Sequence, residues 1–258
     1  MLRTNPLSNT GITVEVCVDS LDSASAAERG GAKRVEVCSS LLEGGVTPSA
    51  GLIATVRQKI SIGMHVMIRP RGGDFYYSAD EFEVMRRDVL MAKQLGADGV
   101  VFGILDADAN IDIQRTRALA DLARPLSVTY HRAFDMSADL FRSLGQVMET
   151  GAGRILTSGG APTAVEGAAT LRQLVEHAGQ RVIIMACGGI DEQNVQAVVA
   201  KTAVREVHVG LRTPAVSLMR YRNENISMGI LQGNEYQRYI VLKDKVARLI
   251  RAASGGDA

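Results

Sequence analysis

Two runs of the chain share the letters VEVC, at 14–17 and 35–38. In a strand, alternate side chains point to opposite faces, so Val14 and Val16 share one face while Glu15 and Cys17 share the other. The same parity groups Glu36 with Cys38. If the two runs are neighbouring strands with that face turned inward, they set a pair of carboxylates beneath a pair of thiols. Strand neighbours stand about 4.8 Å apart. Two thiolates at that separation can share one two-coordinate soft ion, and thiolate ligands select Cu(I) over Mg²⁺ or Ca²⁺. A free cysteine also packs well as a small apolar side chain, and that reading of Cys17 and Cys38 stays open beside the metal one. The glutamates ask for a cation, because an ionised carboxylate in a core is costly unless it is paired.

Arg69, in the run IRPRGGDF, has inward parity and can bridge Glu15 or Glu36. Pro70 ends regular pairing there, and Gly72 and Gly73 let the loop fold over. The guanidinium forks of Arg69 and Arg71 suit a carboxylate or a phosphate. His131 and His208, near the ends of later apolar runs, can act as general acid, base or metal ligand, and Asp106 follows another such run. Converging on one rim, Glu15, Glu36, Asp106, His131 and His208 would make a catalytic set. Glycine pairs in LTSGG and ACGGI (Ser158, Gly159, Gly160, Gly188, Gly189) expose backbone N–H groups in the manner of phosphate sites, or simply make tight turns. Two functional readings follow. One is a Cu(I) site on Cys17 and Cys38. The other is a lyase, isomerase or hydrolase acting on a small anionic or phosphorylated substrate. His65 and His177 read as structural or solvent-exposed. None of the six lysines closes an expected strand, and no H-E-x-x-H or C-x-x-C pattern is present, so Schiff-base chemistry and the common zinc motifs find no support.

These residues need a scaffold that brings strand ends together. Eight apolar, β-branched runs lie at 12–18, 34–38, 64–69, 98–104, 126–132, 154–157, 181–186 and 205–210. Amphipathic segments at 79–95, 113–122, 138–150 and 164–177 fall between them. Strands alternating with helices imply parallel pairing through right-handed crossovers, and eight units point to a (β/α)₈ TIM barrel, an α/β fold whose sites lie at the C-terminal ends of the strands. The first βα turn lacks G-x-G-x-x-G, which argues against a doubly wound open sheet. The expected organisation is one domain over 1–258: a barrel over about 12–210 and a C-terminal extension over 211–258, irregular to about 232 and then helical from about Asn234 to Ala252.

The 258 residues, 46% hydrophobic and 22% charged, describe a globular core rather than a disordered chain. A net charge of +1 gives no bulk attraction to nucleic acid or an anionic membrane. Apolar runs such as 182–187 are too short to span a bilayer, and the first eleven residues carry no apolar signal core. Three cysteines, an odd number in a long chain, fit a reducing compartment, so a cytoplasmic location is expected.

The runs VEVCVDS, ERGGAKRVEVCSSLLEGGVTPS, MIRPRGGDFYYS, VFGILDADANID, VTYHRAFDM, RILTSGG and MRYRN resemble the CutC copper-homeostasis family over nearly the whole chain. The resemblance implies a cytoplasmic TIM barrel, assembled as a homodimer or homotetramer, that binds copper as Cu(I). Cys17 and Cys38 match the positions that would hold the ion. Cys187 stands where relatives tend to carry glycine, so no ligand role is carried over to it.

Overall fold

A computed structural model describes residues 11–228 and 235–255. The chain alternates strand and helix: β1 (Thr13–Val18), α1 (Leu21–Arg29), β2 (Arg34–Val37), α2 (Ala50–Lys59), β3 (Gly63–Met67), α3 (Ala79–Gln94) and β4 (Gly99–Phe102). It continues with α4 (Ile113–Ala123), β5 (Ser127–Tyr130), α5 (Leu140–Met148), β6 (Arg154–Thr157), α6 (Ala168–Ala178), β7 (Ile183–Ala186), α7 (Val195–Thr202) and β8 (Glu206–Val209). Strands β1 to β8 pair in sequence order, all parallel, and β8 closes on β1 to complete a barrel. All eight apolar runs therefore become barrel strands.

Two kinds of core follow from the strand parity. Val14, Val16, Val35, Val37, Val66 and Val100 face outward and pack under the helices in one continuous apolar layer. The inward faces hold the buried charged groups Glu15, Arg34, Glu36, His65, Arg154 and Glu206 and two small apolar clusters: Cys17, Cys38, Met67 and Val101 on one side, and Leu156, Met185 and Cys187 on the other. Polar side chains thus occupy the barrel axis because the periodicity-two pattern assigns the aliphatic residues to the helix-facing side.

The register corrects the simple stacking expected from the repeated letters. Glu15 lies level with Arg34, and Cys17 lies level with Glu36. A closed barrel needs a stagger between neighbouring strands, and here it moves β2 by two residues. The two carboxylates are consequently offset, and a carboxylate sits beside the Cys17 thiol.

The C-terminal extension also departs from expectation. Gln237–Val241, inside the expected helix, is a strand (β10) paired antiparallel with β9 (Arg212–Val216), inside the expected irregular crossing. The β-branched and aromatic residues of QRYIV favour an extended chain, and Pro214 is tolerated because both strands of the pair are edges. The terminal helix α8 runs over Lys243–Ala253, and the expected start at Asn234 lies outside the described residues. Val246 of α8 packs against Gly30 so closely that a Cβ there would lie 2.5 Å from the Val246 Cβ. No helix among the described residues is long and apolar enough to cross a membrane.

Candidate functional site

The inward-facing side chains of β1, β2, β6 and β8 build a charged floor. Glu15 is fully buried and receives a hydrogen bond from Arg34 Nε, its register neighbour. The same guanidinium donates through its other arm to Glu206 Oε2 at 2.5 Å. Arg154 holds Glu206 through Nε and a second nitrogen at 2.7 and 3.1 Å. Two arginines and two glutamates thus alternate across the barrel, each charge facing its opposite. Arg34 fills the role expected of Arg69. Arg69 is buried above the floor, but its guanidinium is turned to the backbone carbonyls of Glu43, Gly45 and Gly73 at 2.8, 3.0 and 2.7 Å. It holds the two glycine-containing loops together and makes no ion pair with Glu15 or Glu36.

Above the floor stand His208, Glu36, Cys17 and Cys38. His208 Nδ1 lies 2.7 Å from Glu15 Oε1, and its Nε2 lies 3.8 Å from Glu36 Oε2. Cys17 Sγ is 3.3 Å from Glu36 Oε2 and 3.2 Å from Cys38 Sγ. Cys38 Sγ also lies 3.7 Å from the Val18 carbonyl oxygen. The second Glu36 oxygen, Oε1, is buried without a hydrogen-bond partner among the described residues. Two donor groups follow from these distances, Cys17–Glu36–Cys38 and Glu15–Glu36–His208, with donor atoms mutually within 4.8 Å in each. Glu36 belongs to both.

Burial and neighbouring charge set the protonation states. Burial alone would raise Glu15, but the His208 hydrogen bond and the Arg34 charge hold its carboxyl well below the usual range. Glu36, with no arginine in contact, is raised by burial. Burial opposes charge on His208, yet the facing Glu36 and the Cys17 and Glu15 contacts outweigh it and hold the imidazole well above its ordinary value. The Cys17 thiol is pushed far up by its hydrogen bond with Cys38, by burial and by the nearby negative groups. Cys38 is lowered by the Cys17 contact, but burial and Glu36 leave it raised. Both thiols are therefore held in the protonated form.

The site opens on a cavity of about 710 Å³ at the C-terminal ends of the strands. Cys17, Glu36, Arg69, His131, His208 and Gly188 are among the residues of its wall, as is Gly189. His131 follows β5 and caps a short 3₁₀ turn (Arg132–Met136), its Nδ1 accepting from the Ala133 N–H at 3.2 Å. That acceptor role leaves the proton of the neutral ring on Nε2, which has no partner among the described residues. Burial and the Arg69 charge push the His131 pKa down to about 3.

Several expected site residues lie elsewhere. Asp106 turns its carboxylate onto the N–H groups of Asp108 and Asn110 at 2.9 and 2.8 Å, closing its own loop outside the cavity. Arg71 pairs with Glu81 at 2.5 Å and Asp74 at 3.1 Å, pinning the loop before α3 rather than facing the cavity. The Ser158–Gly160 turn does hold an anion, but an internal one. Asp135 accepts from the Ser158 N–H and Gly160 N–H at 3.1 and 3.0 Å and from the Thr157 hydroxyl, while Gly159 N–H donates to Thr157 Oγ1 at 2.9 Å. These donors are consequently spent on a side chain of the same molecule. His177 is exposed, with Nδ1 against the Gln173 carbonyl oxygen at 2.8 Å. His65 is buried at the floor, 3.6 Å from Glu15, with burial pushing its pKa down to about 4.

Sequence reasoning passed over Arg34, Arg154, Glu206 and Asp135. The first three have the inward parity of their strands, Arg34 that of Glu36 and Glu206 that of His208, so the same rule reaches them. Nothing local in the sequence marks Asp135 as the ligand of a turn 23 residues later.

The CutC family model matches residues 12–213. The chain is 46% identical over 240 residues to the copper homeostasis protein cutC homolog of Mus musculus, covering 93% of this chain and 88% of the relative. It is 45% identical over 240 residues to the corresponding Homo sapiens homolog, with the same two coverages of 93% and 88%. The crystal structure of the CutC protein of Streptococcus agalactiae superposes with a TM-score of 0.73 at 34% identity, over 77% of this chain and 98% of that one. With the barrel, the paired VEVC strands and these likenesses together, the chain belongs to the CutC family.

Proposed function

We propose that this protein binds Cu(I) through the Cys17 and Cys38 thiolates at the barrel mouth. The observation that carries the reading is the approach of two buried thiols to 3.2 Å on neighbouring strands, open to a cavity on the Cys17 side. Soft sulfur donors prefer Cu(I), and a buried pair protects the ion from water and from hard-ligand exchange. The names of the mouse and human relatives, copper homeostasis protein, agree with this. The same proposal puts the protein in the cytoplasm, where its three free cysteines stay reduced, and as a homodimer or homotetramer, a state that sedimentation equilibrium reads directly. Anaerobic Cu(I) titration tests the site. One equivalent per chain is expected for wild type, and its retention in the double variant Cys17→Ala/Cys38→Ala would sink the proposal.

A second reading is supported by the cavity itself. Its volume of about 710 Å³ falls in the range of small-molecule sites, and two residues of its wall, Glu36 and His131, each carry a buried polar atom (Oε1 and Nε2) without a partner among the described residues. A lyase, isomerase or hydrolase working on a small anionic or phosphorylated substrate would use Glu36 as the proton-transfer group and His131 Nε2–H as a neutral donor. Gly188 and Gly189, rather than Gly159 and Gly160, would then meet the anion. A thermal-shift screen of sugar phosphates and carboxylates tests it. A hit that disappears in Glu36→Gln places a ligand at Glu36, and turnover of that hit by wild type supports catalysis; silence across the panel refutes it.

A further inference from the structure

We propose that Arg212, beside the Gly188–Gly189 turn at the barrel mouth, is the anion-binding residue of the cavity and takes the phosphate group of a phosphorylated ligand. The inference deepens the second reading above and rests on its premise that the cavity receives a small anion.

Elimination among the cations of the wall carries it. The basic side chains that line the cavity are Arg69, Arg132, Arg212, His131 and His208. Arg69 spends its guanidinium on three backbone carbonyls, and Arg132 donates to Asp135 and to the Ser158 hydroxyl, each at 2.8 Å. His208 lies between Glu15 and Glu36, and His131 is buried in its neutral form. Arg212 differs from all of them. Its guanidinium makes no hydrogen bond or ion pair with any described residue, and its Nε is buried without a partner. What holds it is the Tyr239 ring of β10, whose centroid lies 4.4 Å from the guanidinium carbon. A cation–π contact of this kind engages the face of the guanidinium plane and leaves the N–H donors at its edge unspent.

The backbone beside Arg212 offers matching donors. Thr157 of β6 is level with Ala186 of β7, so Gly159–Gly160 and Gly188–Gly189 leave neighbouring strands at the same offset, and all four glycines have positive φ. In the first turn Asp135 takes the Gly160 N–H at 3.0 Å. At the corresponding position of the second turn the Gly189 N–H has no acceptor among the described residues, and neither has the Gly188 N–H. One turn thus carries its own anion, and the other stands beside an unpaired arginine. Ala186 is also level with Val207 of β8, so the chain leaving β8 at Gly210 runs next to this second turn. A Cβ at Gly210 would lie 3.9 Å from Arg212 Cγ, which puts the arginine stem at that end of β8. Gly189 and Arg212 line both the cavity and an adjoining recess of about 360 Å³. A phosphate group presents three acceptor oxygens, enough for the guanidinium fork and the backbone N–H groups together, whereas a carboxylate presents two.

Inorganic phosphate is the probe, added to the full chain at constant ionic strength against a chloride control. Wild type is expected to gain thermal stability with phosphate beyond that with chloride. Arg212→Met should weaken phosphate binding at least about tenfold, the loss expected for a charge-assisted hydrogen bond. Arg220→Met, which removes the same charge from an exposed position of the extension, should behave as wild type. Circular dichroism melts verify that the variants are folded. Phenylglyoxal labelling of wild type, read by peptide mass spectrometry, needs no variant: phosphate should protect Arg212 from modification and chloride should not. Equal responses to phosphate and chloride, wild-type phosphate affinity in Arg212→Met, or an Arg212 left unprotected would overturn the proposal. A carboxylate bound in a Glu36-dependent manner and turned over, with no response to phosphate, refutes this inference alone. Phosphate held at Arg212 with no compound of the panel turned over by wild type refutes the enzyme reading alone.

Discussion

Removing Arg34 should expose how much the barrel floor depends on charge matching. Arg34 is 8% exposed and joins Glu15 to Glu206. In Arg34→Met the side-chain volume is largely kept, so packing changes little and the loss is electrostatic. Glu206 retains Arg154 at 2.7 and 3.1 Å, and the damage concentrates on the fully buried Glu15, left with His208 at 2.7 Å and His65 at 3.6 Å. Breaking a buried pair on one side costs about 3–5 kcal/mol. At about 2–4 °C per kcal/mol for a chain of this size, the midpoint of thermal unfolding should fall by roughly 6–20 °C. The loss also has a pH signature. His65 is held near pKa 4 by burial, with Arg34 among the charges that keep it neutral. Without that charge its pKa rises, the imidazolium partly replaces the guanidinium, and the destabilisation is smaller at pH 5.5 than at pH 8. Calorimetry on wild type, Arg34→Met, Glu15→Gln and the double variant completes a cycle in which Glu15→Gln should recover at least about 2 kcal/mol of the loss. A single Arg34→Met variant within about 1 kcal/mol of wild type, or a loss unchanged by Glu15→Gln, would refute the argument.

Three further predictions concern residues on or beside the cavity. His131 is buried neutral with its pKa at about 3, so the unfolded chain gains a proton below about pH 6.5 that the folded chain refuses. Wild type accordingly loses stability relative to His131→Gln by about 1.4 kcal/mol per pH unit from pH 6.5 down to pH 4, and a stability gap constant over that window in urea titrations would contradict the assignment. Asp135→Asn removes the charge that gathers Ser158, Gly160 and Arg132, and should cost about 2–3 kcal/mol with faster amide exchange at residues 158–160; unaltered exchange there would show that the turn holds itself. Cys187 belongs to the Leu156 and Met185 cluster rather than the sulfur pair, so Cys187→Ala should lower stability by about 1–2 kcal/mol and leave the Cu(I) stoichiometry at its wild-type value.

Much of this architecture was legible because the barrel repeats one local rule. Recurring apolar, β-branched runs located the eight strands, and period-two alternation put Glu15, Cys17, Glu36 and Cys38 inside. Their relative height was not legible, because barrel shear is a property of closure and no single strand carries it; the register that sets Cys17 beside Glu36 emerges only when all eight strands meet. Arg69 drew attention through its proline- and glycine-flanked motif, while Arg34, at the less conspicuous start of β2, was the residue in register with Glu15. Asp135 illustrates the opposite limit: glycine-turn donors looked free for phosphate until a side chain from a distant loop filled them. The β9–β10 pair escaped notice because two five-residue edge strands carry little alternation.

If the adjacent thiols of Cys17 and Cys38 hold the ion, the metal itself should report them. Copper K-edge X-ray absorption on the anaerobically Cu(I)-loaded protein reads this directly. Sulfur is expected in the first coordination sphere, two atoms per copper, and lost in Cys17→Ala/Cys38→Ala. A first sphere of nitrogen and oxygen alone, or one that persists unchanged in the double variant, would contradict it.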